Sequence, residues 1–218
     1  MVRVVTISDT HTYHESVILP HGDILVHAGD FTFRGKEEEV RAFGKWFAQQ
    51  PYKYKCLIAG NHDLSLDGAK HQEALNWLYD DCIDARFNYL QDSSVTLEID
   101  DRKIKVYGSP WQPWFHDWAF NVQRGPKLEA IWSQIPEDTD LLITHGPPQG
   151  ILDLCDHGEQ VGCDDLLRRV KQLKLKLHVF GHIHESYGFE EINGTIYANA
   201  SSCNLRYNPV NPPLVFDI

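Results

Sequence analysis

No apolar run in these 218 residues approaches the roughly 20 that a helix needs to cross a bilayer, so no membrane partner is expected. A signal-peptide core is missing too. Met1-Val2-Arg3 leads straight into a β-rich stretch, and the expected location is cytoplasmic. The five cysteines, Cys56, Cys82, Cys155, Cys163 and Cys203, are odd in number, irregular in spacing and without a Cys-x-x-Cys pair. That pattern argues against a disulfide framework and a thiolate zinc site, and reduced, structural thiols are expected. Basic residues are outnumbered, 20 Lys and Arg against 31 Asp and Glu, and the formal charge of −11 disfavours generic binding to nucleic-acid backbones. A small anionic substrate would then need positive charge from a metal. Repeats, low-complexity tracts and flexible linkers are lacking, so residues 1–218 read as one α/β domain, with a homodimer left open.

What is present is an alternation of short apolar runs and amphipathic stretches. Residues 2–8, 23–28 and 54–59 read as strands. Lys36 to Gln50 places Val40, Phe43 and Phe47 at helical spacing behind the acidic turn Glu37-Glu38-Glu39, and stops before Pro51. A second helix is predicted at about 70–80, with Ala74, Trp77 and Leu78 on one face. The segments 95–99 and 103–107 alternate in polarity about Asp100-Asp101-Arg102, which predicts a hairpin in a mixed sheet. Ser109 to Asn121, with Trp111, Trp114, Phe115, Trp118 and Phe120, is too irregular for helix or strand. It is predicted as a loop whose rings either pack it down or form a substrate wall, with Trp111 and Trp114 able to stack a flat group. Helices at 127–134 and 163–173 and strands at 140–144 and 177–181 restore the α/β order. Asn193-Gly194 suits the turn of a second hairpin, and 214–218 is a terminal strand.

Five apolar runs end in residues with metal-ligand chemistry. They deliver Asp9 and His11, then Asp30, then Asn61-His62-Asp63, then His145, then His182 and His184. Open α/β sheets bind ligands at the carboxyl ends of their strands, where polar groups leave the core and face a cleft. Asp9, His11, Asp30, Asn61, His145, His182 and His184 offer oxygen or imidazole nitrogen and no thiolate, a set that suits Mn, Fe or Zn. Seven ligands exceed what one tetrahedral ion takes, and a carboxylate can bridge two ions, so two divalent ions with Asp30 as the bridge are expected. Two ions roughly 3.5–4 Å apart would acidify a shared water and clamp a phosphoryl group. His62, next to a ligand, is placed to protonate the leaving oxygen. Taken singly each motif is weak, and the remaining histidines read as core or surface residues.

In this order the blocks Asp9-Thr10-His11, Gly29-Asp30-Phe31-Thr32-Phe33-Arg34, Gly60-Asn61-His62-Asp63, His145 and Gly181-His182-Ile183-His184 resemble the calcineurin-like metallophosphoesterase superfamily. Thr144-His145-Gly146-Pro147-Pro148 and Gly108-Ser109-Pro110-Trp111-Gln112-Pro113-Trp114 are similar to its metallophosphoesterase-domain-containing group. The resemblance implies a four-layer α/β/β/α sandwich of two mixed sheets flanked by helices. It implies one Mn-type ion on Asp9, His11, Asp30 and His184, and a second on Asp30, Asn61, His145 and His182. His62, Asp63 and Arg34 would be its catalytic residues, with Asn61 and His62 also touching substrate. The implied activity is hydrolysis of cyclic nucleotides or other small phosphodiesters. A phosphomonoesterase or nucleotidase on the same site, or a binding module that keeps the fold without turnover, are the alternatives. Phe33 stands where the family usually has an Asp that orients the catalytic His, so His62 is expected to lack its carboxylate partner.

Overall fold

Strands with buried residues on both faces need covering on both sides, and this requirement organises the chain into layers. The computed structural model describes residues 1–80 and 86–218; Cys82, expected above to be a reduced thiol, lies outside the described residues. In chain order the elements are β1 (Arg3–Ile7), β2 (Ile24–His27), α1 (Glu37–Gln49), β3 (Tyr54–Leu57), α2 (His71–Tyr79), β4 (Phe87–Tyr89), β5 (Ser93–Ile99) and β6 (Arg102–Ser109). They continue with β7 (Gln112–Pro113), β8 (Asn121–Val122), α3 (Pro126–Trp132), β9 (Leu141–Thr144), α4 (Asp164–Val170), β10 (Leu177–Phe180), β11 (Gly188–Ile192), β12 (Thr195–Asn199) and β13 (Leu214–Asp217).

One sheet has the order β13-β1-β2-β3-β4 and the other β11-β12-β10-β9-β6-β5. Both are mixed: β13 runs antiparallel to β1 in the first, and β5 and β11 run antiparallel to their neighbours in the second. Val4, Ile24, Val26, Cys56 and Ile58 meet Val106, Leu141, Ile143, Leu177 and Val179 between the sheets. Residues of opposite parity point outward, because successive strand side chains alternate faces. Val5, Ile7, Leu25 and Leu57 pack under α1 and α2, and Tyr107, Leu142 and Phe180 pack under α3 and α4. The result is the four-layer sandwich. No helix among the described residues is long and apolar enough to cross a membrane.

The hairpins fall where the alternation placed them. Asn193 and Gly194 have φ of +53° and +82°, the pair of positive values that a type I′ turn requires. The 109–121 stretch is more ordered than its composition suggests, since Gln112 and Pro113 pair in parallel with Asn121 and Val122. The alternation rule fails on so short a ladder, which holds only two residues on each side.

His178 on β10 is fully buried on the helix-covered face. Thr144 Oγ1 donates to the Gly146 carbonyl at 2.8 Å, so the His178 Nε2–H donates to that hydroxyl oxygen, also at 2.8 Å. Its Nδ1 is buried without a partner, and burial pushes the imidazole down to about 3. A folded value below the unfolded value of about 6.5 means the stabilising contribution is present above pH 6.5 and is lost as pH falls toward 3. From pH 7 to pH 5 this one group should cost about 2 kcal/mol. His178→Gln should therefore show about 2 kcal/mol less acid destabilisation than the parent in urea titrations at the two pH values. Equal losses would mean that His178 carries a proton in the folded chain.

Candidate metal centre

The loops that follow β1, β2, β3, β9 and β10 converge on one end of the sandwich and bring all seven predicted ligands together. Asp9, His11 and His184 place one ligand atom each within 4.8 Å of one another, and so do Asp30, His145 and His182. Asp30 stands between the two groups, with Oδ2 at 3.4 Å from His145 Nε2 and 3.9 Å from His11 Nε2. Its Oδ1 accepts the backbone N–H of His62 at 2.8 Å. Asn61 Oδ1 is 3.0 Å from His145 Nε2, on the same side as His182.

Three of the four ligand imidazoles share one device. His11, His145 and His184 hold Nδ1 against the carbonyl oxygens of Thr32, Ala28 and Asn204 at 3.3, 2.9 and 3.1 Å. Committing Nδ1–H to a carbonyl fixes the tautomer and turns the Nε2 lone pair inward, the usual arrangement behind a metal-bound histidine. His11 Nε2 is buried and has no hydrogen-bond partner. Asp9 Oδ2 accepts from Ser201 Oγ at 2.9 Å and from the His182 N–H at 3.0 Å, while Oδ1 faces His184 Nε2 at 3.3 Å. Burial pushes His11 to about 4 and His182 to about 3, so both are neutral, as ligation requires. Burial also opposes charge on His145, yet the carboxylates of Asp30 and Asp9 outweigh it and hold the ring at about 9, so a cation bound there would displace the Nε2 proton. Against their own burial, Asp9 is held below the usual carboxylate range by His184, and Asp30 by His145.

Backbone strain marks the same residues. Asp9, His11, Asp30 and His182 have φ of +51°, +40°, +57° and +68°. Each non-glycine residue in this region costs on the order of 1 kcal/mol, and such strain persists where the surroundings or a ligand compel it. Gly60 is required by space rather than by φ, since a Cβ there would lie 2.3 Å from Asp30 Oδ1 and 2.6 Å from His145 Cε1. Buried ionised carboxylates, an orphaned Nε2 and inward lone pairs form a donor set that divalent cations fit.

Beside these residues opens a cavity of about 590 Å³. Asp30, Asn61, His62, His182, His184 and Tyr207 line one end, and Gln112, Pro113, Trp114, Phe115 and Arg124 extend it. His62 donates Nδ1–H to the Phe33 carbonyl at 2.9 Å, which leaves Nε2 for the cavity. The partner at Nδ1 is therefore a backbone carbonyl in place of a carboxylate, and residue 33 orients His62 through its main chain. The Phe33 ring lies 5.4 Å from His11 and 5.2 Å from Tyr207, so an Asp side chain here would start on the His11 side. Phe33→Asp should therefore raise turnover by no more than about twofold, measured with metal-saturated protein across the pH range. A gain of tenfold that disappears in His62→Ala would show that the carbonyl is an inadequate partner.

Three other predicted site residues lie elsewhere than expected. Trp111 turns away from the cavity, its Nε1–H bonded to Asp92 Oδ2 at 2.6 Å and its ring 5.5 Å from Phe120; it packs the loop and walls nothing. Asp63 is fully buried and accepts N–H bonds from Gly60, Asp30 and Thr32 at 2.8–2.9 Å, so it ties loops together instead of facing substrate. Arg34 is exposed, with its guanidinium 5.3 Å from the Trp118 ring and off the cavity lining. Trp114, 54% exposed, does line the cavity. Sequence reasoning missed Ser201, Asn204 and Tyr207, which no motif marks, and it passed over Trp118 in favour of two neighbours.

The chain is similar to known proteins. The calcineurin-like phosphoesterase family profile matches residues 2–186. Metallophosphoesterase domain-containing protein 1 of Homo sapiens is 44% identical over 239 aligned residues, which cover 99% of this chain and 71% of the relative. A probable glycerophosphodiester phosphodiesterase, GpdQ of Arcobacter nitrofigilis, is 25% identical over 177 residues, covering 78% of this chain and 60% of that protein. Among solved structures, TT1561 of Thermus thermophilus superposes with a TM-score of 0.62 over 91% of this chain and 88% of that one, at 10% identity, a likeness of fold.

Proposed function

Because this chain belongs to the calcineurin-like phosphoesterase family, whose members use divalent metals, we propose that it is a dinuclear phosphodiesterase for small substrates, with cyclic nucleotides as the leading class. The observation that carries this reading is the place of Asp30, reached by His145 on one side and His11 on the other. Asp9, His11, Asp30 and His184 would hold one ion, and Asp30, Asn61, His145 and His182 the other, with Mn favoured by the N/O donor set. Bound there, divalent ions acidify water and draw charge from phosphoryl oxygens.

The chain's own residues do the rest. His62 keeps Nδ1–H on the Phe33 carbonyl, so the proton it can give up sits on Nε2, at the cavity. When the P–O bond breaks, the electron pair stays on the leaving oxygen and that proton neutralises it. A diester has two arms and a monoester one. The cavity continues past the metal end to Trp114 and Phe115, whose exposed faces suit a flat second arm such as a base. The similarity to a probable glycerophosphodiester phosphodiesterase supports the same choice.

Mn-loaded protein should hydrolyse bis(p-nitrophenyl) phosphate or a cyclic nucleotide with kcat/KM at least about tenfold above p-nitrophenyl phosphate. Faster turnover of aryl monoesters than of every diester tried would make it a phosphomonoesterase or nucleotidase instead. Full metal loading with no turnover of either class would make it a binding module.

A further inference from the structure

The aromatic segment between β6 and α3 is a built cradle. Asn121 Nδ2 donates to the carbonyls of Phe115, His116 and Trp118 at 3.3, 2.6 and 3.1 Å, and Asn121 Oδ1 accepts the Phe115 N–H at 3.1 Å. One side chain thereby ties both sides of the loop together. The loop is then fastened to the site at two points. Ala119 N–H donates to the Asn61 carbonyl at 3.1 Å, and Phe120 N–H donates to Asp67 Oδ2 at 2.9 Å. The anchors, at Asn61 and Asp67, bracket the stretch of chain that begins with His62.

Immediately before Ala119 the loop lays Trp118 on the face of His62. The ring centroids are 4.2 Å apart at an interplanar angle of 38°, a closer approach than His62 makes to His11 or Tyr207, at 4.6 and 6.1 Å. Hydrogen bonding of Nδ1 to the Phe33 carbonyl restrains His62 at one atom only, and the ring can still pivot about that contact. A large flat surface against the ring face removes the pivot, because tilting the imidazole would drive it into the indole. Arg34 stands 5.3 Å from the indole centroid and adds a cation–π contact to the same group.

We propose that Trp118 is a positioning residue for His62, holding the imidazole so that Nε2 meets the leaving oxygen as the P–O bond breaks. This rests on the phosphodiesterase reading, in which His62 Nε2 gives its proton to that oxygen and is left neutral. The role predicts a specific pattern. A poor leaving group depends on the proton and a good one does not, so loss of Trp118 should be felt in kcat for the first and little for the second. KM and metal loading should stay close to those of the parent, since Trp118 is neither a predicted ligand nor part of the cavity lining.

The test uses the full chain loaded with Mn and a series of methyl aryl phosphates with leaving groups from nitrophenol to phenol. Trp118→Ala should lower kcat on methyl phenyl phosphate by about 30-fold and change methyl nitrophenyl phosphate by less than about threefold, with Trp118→Phe restoring most of the loss. In a His62→Ala background, Trp118→Ala should have no further effect. With Zn-loaded protein and histidine-labelled spectra, the His62 Cε1–H resonance should lose its indole ring-current shift in Trp118→Ala, an outcome independent of turnover. A raised KM with unchanged kcat, an equal loss at both ends of the series, or a full loss in the His62→Ala background would each overturn the proposal, as would an unmoved His62 resonance. A parent protein that prefers monoesters but keeps the leaving-group pattern and the resonance change would sink the diester reading and leave Trp118 in its role.

Discussion

Asp30→Ala should lower both metal content and turnover further than any other single ligand change, with activity falling by about 10³-fold or more. Its Oδ2 stands between the two groups, 3.4 Å from His145 Nε2 and 3.9 Å from His11 Nε2, while Oδ1 accepts the His62 N–H at 2.8 Å. Removing it takes a charge from both sides of the centre and frees the backbone that carries His62. His184→Ala is the comparison, because His184 reaches Asp9 and belongs to one group only. It should lose about one ion and keep the second, whereas Asp30→Ala should retain less than about one. The alanine also occupies a position with φ of +57°, which Asp tolerates better, so some stability is lost as well. Metal analysis after saturation with Mn and removal of free ion, paired with turnover of one phosphodiester, gives both numbers. Full activity of the parent with one ion or fewer would refute the shared-carboxylate arrangement.

The largest loss of stability is expected from Asp63→Asn, a change of one atom. Oδ2 accepts the N–H groups of Gly60 and Asp30 at 2.8 and 2.9 Å, and Oδ1 accepts the N–H and hydroxyl of Thr32 at 2.9 and 2.7 Å. Whichever oxygen becomes NH₂ then points its hydrogens at donors in a site with no access to water. Only the Thr32 hydroxyl has another acceptor in reach, the His62 carbonyl at 3.2 Å. Leaving buried donors unmatched costs about 1–3 kcal/mol each, so the variant should lose roughly 3 kcal/mol or more in urea titrations run with chelator. Burial, followed by the charge of Asp30, pushes the Asp63 carboxyl up to about 7, against the pull of Gly60 and Thr32. If the neutral acid were the folded form, asparagine would imitate it and the loss at pH 7 would stay below about 1 kcal/mol. The size of the effect thus reports which form the four donors select. Loosening of the Asp30 and Gly60 loops should also weaken metal binding without any ligand being touched.

The frame and the chemistry of the centre are legible from local pattern alone. Buried parallel strands demand continuous apolar runs, so β1, β2, β3, β9 and β10 are visible as such, and each ligand sits within a few residues of the end of its own run. Asn193-Gly194 marks its turn for an equally local reason, the positive φ of both residues. Other features emerge on folding, because they rest on partners distant along the chain or on atoms that carry no side-chain signature. The Phe33 carbonyl orients His62 whatever residue stands at 33, and the Asn204 carbonyl does the same for His184 from 20 residues away. Ser201 reaches Asp9 across 192 residues. Among the tryptophans of one irregular loop, Trp111 turned inward to Asp92 and Trp118 came to rest on His62, because the hydrogen bonds of Asn121 and Asn61 set the path of the backbone. Local pattern records which residues a strand end presents; backbone acceptors and the faces of rings acquire their roles only when the layers close around them.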